Sequence, residues 1–295
     1  MLAFKQILRA SWYLLPVKFL KKPLSSHYHN EYDWALVCSE LLEMTYCVAV
    51  SVDAGMVFCS DSRTNAGVDQ VSTYSKMFRF GIDGERQIVI LCAGNLATTQ
   101  ATIATVKSDI KKEADVNLLN IESLEEAADY IGDISREQQE KRTIEGKKFE
   151  ASFIIGGQIG NAKHEIILVY PEGNHITTSK DTPYLQIGES KYGKPILDRI
   201  LQPDLDLDTC AMCALVSMDS TLRSNLSVGP PIEMLIYNSG SLTAKNLHRF
   251  EEDSEFLRDI KKSWDQLLKD AFLRMPPLTW ATNWDKLGRE RSGAS

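Results

Sequence analysis

The stretch Thr45-Tyr46-Cys47-Val48-Ala49-Val50-Ser51-Val52 decides the fold of this chain. Bulky residues at its even-numbered positions alternate with smaller ones, and a period of two is typical of a β-strand. The turn Asp53-Ala54-Gly55 follows, and residues 56–60 predict a second strand that returns along the first. Because the two strands of a hairpin are antiparallel, we expect Asp61 to lie close to Thr45.

The rest of the chain predicts two groups of strands, two pairs of helices and a final helix. Two strand groups separated by a helical pair indicate two packed sheets with helices outside them. Strands are predicted at residues 77–80, 87–92, 151–155, 165–170, 184–187, 232–237 and 242–247, and helices at residues 96–110, 124–134, 191–200, 208–217 and 256–271.

The chain divides into three parts by composition. Residues 1–44 form a basic extension whose apolar stretch, residues 12–15, is interrupted by Pro16 and lacks the features of a signal peptide or a membrane span. We expect an over-long start with Met44 as the true initiator, and a cleaved propeptide is the alternative. Residues 45–250 are predicted to form the main domain, and residues 251–295 a C-terminal helix followed by a tail.

Charge and composition exclude several function classes. With a formal net charge of -7, the chain has no overall positive potential to attract phosphates, which argues against a nucleic-acid-binding protein. No segment reaches membrane-spanning length, and the five histidines show no metal-binding spacing, so neither a membrane protein nor a metal site is expected. The six scattered cysteines favour a reducing, cytoplasmic compartment, and we interpret Cys210 and Cys213 as core residues of a helix.

Thr45 carries the chemistry that the sequence favours. A threonine hydroxyl needs a base to take its proton, and a free α-amino group has a pKa of about 7.7–8.0, near the working pH. If Thr45 becomes the first residue, it supplies both nucleophile and base. A lysine nearby lowers the pKa of the amine, and a carboxylate orients that lysine. Lys76 and Asp61 have this chemistry.

Four motifs resemble those of the proteasome β-subunits, which are N-terminal nucleophile hydrolases. They are Thr45-x-Cys-Val-Ala-Val, Ser60-Asp-Ser-Arg-Thr-Asn-Ala-Gly, Ser75-Lys76-Met and Ala93-Gly94-Asn. The extended runs of residues 60–69 and 92–100 are similar to those of the bacterial branch called Anbu, the ancestral β-subunit. The resemblance covers residues 44–247 and implies an α+β fold, a four-layer αββα sandwich with two antiparallel sheets between helical layers.

The resemblance also implies a role for each matching residue. Thr45 is implied as the nucleophile, Asp61 and Lys76 as its supporting pair, and the backbone N–H of Gly94 as an oxyanion donor. Asp219 matches a later auxiliary acidic residue. The residues implied in substrate binding are Thr64, Asn65, Cys92 and Leu96, for which core or loop packing is the alternative.

Three positions depart from the pattern of the β-subunits. Glu189 stands in Gly188-Glu189-Ser190 where a serine supports the nucleophile in the family. The Ser-Gly-Gly expected after Asp219 is spread into Ser227-Val228-Gly229. Met44, not glycine, precedes the nucleophile, which favours removal of an initiator methionine by an aminopeptidase.

The sequence therefore predicts a threonine-type peptidase or amidase that needs no metal or organic cofactor. The resemblance implies a homo-oligomer, either a ring or a spiral, that acts on a peptide or protein substrate, and it indicates no particular unfoldase partner. Two alternatives stay open. One is a proteasome-like assembly subunit with weak catalysis, and the other is an amidohydrolase of small molecules on the same fold.

Overall fold

Two five-stranded antiparallel sheets form the centre of the fold, which is seen in a computed structural model describing residues 45–65, 71–142 and 149–276. The first sheet has the strand order β10-β1-β2-β11-β12. Its strands are β1 (Tyr46–Val52), β2 (Gly55–Asp61), β10 (Tyr184–Gly188), β11 (Ile232–Asn238) and β12 (Asn246–Phe250). The predicted hairpin of β1 and β2 is confirmed, with Cys47 opposite Ser60, so the end of β2 returns to the start of β1.

The second sheet has the order β5-β6-β7-β8-β9, and a separate two-stranded ribbon joins β3 to β4. The strands of the sheet are β5 (Met77–Ile82), β6 (Arg86–Gly94), β7 (Ala151–Ile159), β8 (Glu165–Val169) and β9 (His175–Thr177). The ribbon consists of β3 (Arg63–Asn65) and β4 (Val71–Thr73). It connects the end of β2 to the start of β5, and thus the first sheet to the second.

Helices cover the outer face of each sheet. They are α1 (Leu96–Lys111), α2 (Leu124–Arg142), α3 (Lys194–Ile200), α4 (Leu207–Ser224) and α5 (Glu255–Leu273). One buried cluster joins the first sheet to α3, α4 and α5, and a second joins the other sheet to α1 and α2. A third lies between the sheets, where Phe58, Leu91 and Ile154 are fully buried. The layers therefore follow the order αββα, as expected from the sequence.

Some predicted boundaries were wrong. The segment predicted as a strand at residues 242–247 turns at Leu242, whose φ is +46°, and the strand begins only at Asn246. The Leu242 carbonyl accepts hydrogen bonds from the Gly84 N–H at 3.0 Å and the Gln87 side chain at 3.2 Å. The segment around Leu242 therefore binds the turn between β5 and β6 instead of pairing as a strand. The short strands β3, β4 and β9 were not predicted.

Two further expectations concern the ends of the chain and its cysteines. The extension at residues 1–44 and the tail with Trp280 and Trp284 lie outside the described residues, and the domain limits stay predictions. Cys210 and Cys213 are buried in α4 with free thiols, which confirms that they pack in the core. Within the described residues, no helix is both long enough and apolar enough to cross a bilayer.

Candidate active site

Thr45 directly precedes β1, and the turn after β10 fixes its position. Its carbonyl oxygen accepts a hydrogen bond from the Glu189 N–H at 2.7 Å. Gly188 has a φ of +79°, and a Cβ on this residue would lie 1.9 Å from the same oxygen. Only glycine combines this backbone conformation with such a close approach. The sequence at the end of β10 therefore holds Thr45, which is 5% exposed, in one place.

Asp61 ends β2 and accepts hydrogen bonds from three different parts of the chain. Its Oδ1 accepts the Tyr46 N–H at 3.1 Å and the Lys76 ammonium at 2.7 Å. Its Oδ2 accepts the Gly229 N–H at 3.1 Å. The carboxylate is completely buried, and it connects the residue after Thr45 directly to Lys76.

Lys76 lies immediately before β5, and its ammonium is buried between two oxygen atoms. It donates to Asp61 Oδ1 and to the Arg63 carbonyl oxygen, each at 2.7 Å. Burial raises the pKa of the Asp61 carboxyl above its ordinary value, while Lys76 and the two backbone N–H donors oppose that rise. The structure thus brings Thr45, Asp61 and Lys76 together, as the hairpin geometry predicted for the first two.

A second carboxylate, Glu233 on β11, anchors the residue before Lys76. The Ser75 hydroxyl donates to Glu233 Oε2 at 2.6 Å, and Arg249 Nη1 donates to Glu233 Oε1 at 3.0 Å. Glu233 is 8% exposed, so burying its carboxylate requires these hydrogen-bond partners. Sequence reasoning missed this group because Ser75 and Glu233 are 158 positions apart and belong to no shared motif.

Gly94 ends β6, directly before the Asn95 cap of α1. Its φ is +100°, and a Cβ there would lie 2.5 Å from the Glu150 carbonyl oxygen, so this position requires glycine. The same strand approaches the other site residues through Cys92, whose N–H donates to the Lys76 carbonyl at 3.0 Å. Gly94 is exposed at this end of the strand.

The four residues predicted to bind substrate differ in accessibility. Thr64 lies half-buried in β3, and its backbone pairs with Ser72 of β4. This pairing occupies one of the two edges of β3. Asn65 pairs with Val71 in the same ribbon. Leu96 is half-buried at the start of α1. Cys92 is 2% exposed, so its side chain offers almost no surface to a ligand, and burial raises the pKa of its thiol to about 12.

Asp219 does not join the group around Asp61. Helix α4 was expected to end at residue 217 but continues to Ser224, so Asp219 lies on the helix. Its charged neighbours are Arg223, Lys261 and Asp265, where α4 contacts α5. Burial there raises the pKa of its carboxyl. The length of the helix thus places Asp219 at the contact between α4 and α5, and the auxiliary role stays a prediction.

Asn225 directly follows α4 and links Glu189 to the strand that carries Asp61. Its side-chain nitrogen donates to Glu189 Oε2 at 3.3 Å. Its backbone carbonyl accepts the Val228 N–H at 3.2 Å, which forms the turn that presents the Gly229 N–H to Asp61. Glu189 is 4% exposed and also contacts Thr45 through its backbone. This connection was not predicted, since no local pattern pairs residues 36 positions apart.

Together these contacts place Thr45 one residue from Tyr46, whose N–H donates to the buried Asp61–Lys76 ion pair, at the meeting point of the two sheets. Such a site can activate a nucleophile and stabilise negative charge. Among residues 45–65, 71–142 and 149–276, no group of three or more His, Cys, Asp or Glu side chains is arranged to hold a metal ion. The expectation that no cofactor is needed stays a prediction.

Comparison with protein families gives a match to the proteasome family, described as proteasome subunit, over residues 44–237. No curated protein matches the chain.

Comparison with solved structures gives matches at both the sequence and the fold level. Anbu (ancestral beta-subunit) from Yersinia bercovieri is 45% identical, with a TM-score of 0.76, and the match covers 80% of this chain and 99% of that one. The helical assembly of the Anbu complex from Pseudomonas aeruginosa gives 43% identity and a TM-score of 0.77 over the same shares. An Anbu (Gly-1) mutant from Hyphomicrobium sp. strain MC1 gives 41% and 0.75, covering 79% of this chain and 99% of that one.

Proposed function

The chain belongs to the proteasome subunit family, and from this premise we propose that it is a threonine peptidase whose nucleophile is Thr45. The family and its fold favour a hydrolase. The peptidase activity proposed here depends on removal of the residues before Thr45, which frees its α-amino group. The substrate is a peptide bond in an extended peptide or protein segment.

The observation that supports this proposal is the position of the Asp61 carboxylate. It accepts hydrogen bonds both from Tyr46, the residue after the nucleophile, and from Lys76. A carboxylate in this position fixes the start of β1 and the lysine relative to each other. Pre-organised groups of this kind need no rearrangement when charge develops during the reaction.

The freed amine of Thr45 acts as the base in the first step. It takes the proton of its own Oγ while Oγ attacks the carbonyl carbon of the substrate. The positive charge of Lys76 lowers the pKa of the amine, because two like charges repel, and so keeps more of the amine in its neutral form. The same charge stabilises the developing negative charge on oxygen.

The tetrahedral intermediate needs a donor for its oxyanion, and the proposed donor is the Gly94 N–H. Collapse of the intermediate breaks the C–N bond, and the Thr45 ammonium gives its proton to the leaving amine. The remaining acyl group is an ester of Thr45 Oγ. Water attacks that ester with the amine again as base, which releases the carboxylic acid and restores Thr45.

The substrate is proposed to lie beside Thr45, between the β3–β4 ribbon and the start of α1. Thr64 and Asn65 would border it on the ribbon, and Leu96 would line it from α1. An extended segment placed there can form main-chain hydrogen bonds with the ribbon backbone. Because Cys92 is nearly inaccessible, it would support the substrate-binding residues from the protein interior without contacting the substrate.

A second candidate is an assembly subunit with weak peptidase activity, and Glu189 favours it. The carboxylate of Glu189 is buried on the residue whose N–H binds the Thr45 carbonyl. A negative charge near the freed amine would raise the pKa of that amine and weaken it as a base. The two candidates therefore differ in how much of the amine is neutral at pH 7.

We also propose that the chain is a cytoplasmic homo-oligomer. One similar structure is a helical assembly of the Anbu complex from Pseudomonas aeruginosa, and this chain is 43% identical to it. A cytoplasmic location is supported by the buried cysteines at positions 47, 59, 92, 210 and 213, whose thiols are free, as is usual in a reducing compartment.

The decisive experiment combines intact-mass analysis with labelling by an electrophilic peptide inhibitor. The full-length chain, expressed and processed in cells, should yield a mature form that begins at Thr45 and carries one inhibitor adduct. Thr45→Ala should give no adduct. A mature form that retains Met44 contradicts the peptidase proposal, and an unblocked Thr45 that stays unlabelled supports the assembly subunit. Comparing cleavage of peptides with that of simple amides tests the amidohydrolase alternative.

A further inference from the structure

Strand β5 forms one edge of the second sheet, where it pairs with β6 on its inner side. The Cys92 N–H donates to the Lys76 carbonyl oxygen at 3.0 Å, so these two residues form a hydrogen-bonded pair. Since such pairs alternate along an antiparallel ladder, the N–H and C=O groups of Arg79 and Gly81 point away from β6. Among the described residues, no other element donates to these four backbone groups or accepts from them.

A groove of about 480 Å³ runs along this free edge. Residues 77–81 of β5 line it, together with Ala244 and Lys245 of the segment before β12. Lys107 of α1 lines it from the helical side of the sheet, where its ammonium lies 5.3 Å from the centre of the Phe78 ring. A strand rises by about 3.3 Å per residue, so residues 77–81 offer an edge about 17 Å long. The groove therefore has the length of a short extended segment.

Three cationic side chains and one acidic side chain line the groove, namely Arg79, Lys107, Lys245 and Asp83. Arg79 Nη1 donates to the Ala244 carbonyl oxygen at 2.8 Å, which holds the guanidinium at the strand edge. Asp83 Oδ2 lies 3.1 Å from the Lys245 ammonium, so the acidic side chain is already paired. Within the described residues, Arg79 and Lys107 form no ion pair with a carboxylate.

The charged residues that flank the lining leave this positive excess in place. Glu85 pairs with Arg86 at 2.9 Å. The Tyr130 hydroxyl of α2 donates to Asp109 at 2.7 Å, so that carboxylate faces α2 and not the groove. Lys111 adds a further positive charge one turn along α1. The groove is therefore locally positive on an acidic chain, and it favours an anionic ligand.

Unpaired backbone groups and cations together indicate a peptide ligand in an extended conformation. An extended peptide forms main-chain hydrogen bonds with a free strand edge, and its side chains give the specificity. Successive side chains of an added strand point to opposite faces of the sheet. One set would face Lys107, and the other would face Arg79 and Lys245. Acidic residues at neighbouring positions of the added strand can thus each meet a cation.

We propose that β5 binds an extended acidic segment of the substrate as an additional strand of the second sheet. Strand β5 begins directly after Lys76, so a segment bound there lies beside the site around Thr45. This inference rests on the peptidase activity proposed above, and it assigns a substrate class, namely proteins or peptides that carry an acidic stretch.

A short acidic peptide tests the groove directly. The probe is Val-Glu-Glu-Glu-Val with an N-terminal fluorescein and an amidated C-terminus. Its binding to the full-length Thr45→Ala chain, which lacks the proposed nucleophile, is followed by fluorescence anisotropy. The glutamine counterpart, Val-Gln-Gln-Gln-Val, should bind at least about tenfold more weakly, because it keeps the backbone groups and loses the charges.

Two substitutions of Arg79 separate the charge from the backbone. Arg79→Gln removes the guanidinium and keeps the N–H, so it should raise the Kd of the acidic probe about two- to fivefold, as expected for an exposed ion pair. Arg79→Pro also removes the outward N–H, which an edge strand tolerates, and it should abolish measurable binding. Both variants should keep the wild-type circular dichroism spectrum.

A charge reversal with a matched control tests the location of the site. Lys107→Glu places a negative charge opposite the acidic probe and should raise its Kd at least about tenfold. Lys262→Glu changes the net charge by the same amount. Lys262 lies exposed on α5, which packs on the first sheet, so this variant should bind the probe as the unchanged chain does.

Four results would contradict the groove. Equal binding of the acidic and glutamine peptides overturns the recognition of charge, and equal binding by Arg79→Gln and Arg79→Pro overturns strand addition. A loss in Lys262→Glu as large as that in Lys107→Glu reduces the effect to net charge. A fall in anisotropy as the chain concentration rises would show that a second copy fills the groove in place of the substrate.

Kinetics link the groove to catalysis. A fluorogenic substrate joined through a Gly-Ser linker to Val-Glu-Glu-Glu-Val should have a lower KM than the glutamine fusion and the same kcat, and Arg79→Pro should remove the difference. Equal KM values despite probe binding would contradict a substrate as the ligand. A wild-type chain that binds the probe but is inactive contradicts the peptidase, whereas an active chain without probe binding contradicts the groove.

Discussion

The Lys76 ammonium donates to Asp61 Oδ1 at 2.7 Å, and both side chains are shielded from solvent. Replacing Lys76 by methionine keeps most of the volume but leaves the Asp61 charge buried without a cation. Breaking a buried ion pair from one side costs about 3–5 kcal/mol. We predict that Lys76→Met lowers the free energy of unfolding by about that amount and abolishes peptide hydrolysis.

Urea denaturation measures this loss, and Lys194→Met provides the matched control. Lys194 pairs with Asp198 at 2.8 Å, but both side chains are about half exposed and lie four residues apart on one helix. Such pairs contribute only about 0.3–0.5 kcal/mol. Equal losses in the two variants would contradict the special role of the buried pair.

The burial of the Asp61 carboxyl also predicts that activity and stability respond differently when the pH falls. Its pKa in the folded protein is raised, so it binds a proton at a higher pH than an ordinary aspartate does. The folded state then binds the proton more tightly than the unfolded state, and this group adds stability as the pH falls. The Lys76 interaction nevertheless weakens on protonation. We predict that activity declines in acid while the chain remains folded, with the decline beginning above the usual aspartate range.

Parallel measurements of hydrolysis and circular dichroism across pH check this prediction. In Asp61→Asn the part of the acid decline that comes from Asp61 should be absent, so the residual activity should follow protonation of the Thr45 amine alone. An activity loss that coincides with unfolding at every pH would show that Asp61 does not control the acid side.

Alternating residues in β1 were sufficient to predict the hairpin and therefore the approach of Asp61 to Thr45. The layers could also be predicted, because helical and strand periodicities depend on nearby residues. Residues far apart in the chain set the remaining geometry. Ser75 lies just before β5 of one sheet and Glu233 on β11 of the other, so their hydrogen bond depends on how the two sheets pack. Asp219 lies within α4 because that helix extends seven residues past its predicted end.

The hydrogen bond between Ser75 and Glu233 predicts a positioning role for a residue that does not touch Thr45. Ser75→Ala removes the 2.6 Å hydrogen bond and leaves Glu233 with Arg249 alone. Losing a hydrogen bond to a charged group costs about 1.5–3 kcal/mol. We predict a lower kcat with little change in KM, since Lys76 follows Ser75 directly and loses its fixed position.

Steady-state kinetics of Ser75→Ala and Ser75→Thr test this role, because threonine restores the hydroxyl and should restore part of kcat. Glu251→Gln is the control on the same network. Arg249 Nε donates to Glu251 Oε1 at 2.7 Å, yet Glu251 is exposed, and its side chain makes no hydrogen bond or ion pair with the loop before Lys76 among the described residues. A kcat loss in Glu251→Gln as large as that in Ser75→Ala would indicate a general effect on β12.

The final prediction concerns Gly188, which holds the start of β1. Gly188→Ala places a Cβ 1.9 Å from the Thr45 carbonyl oxygen at a φ of +79°. The left-handed backbone alone costs about 1–2 kcal/mol for an alanine, and the clash adds to it, so Thr45 must move. Gly240→Ala is a close match in conformation, with a φ of +74° and no atom within 4 Å of the new Cβ. We predict that Gly240→Ala loses only the stability that the left-handed backbone costs and stays fully active.

Gly188→Ala should lose more stability and most of its labelling at Thr45, as measured by thermal unfolding and by inhibitor adduct mass. Because both variants carry the same backbone strain, a difference in labelling between them isolates the contact with Thr45, and equal labelling would show that the position of this carbonyl does not matter.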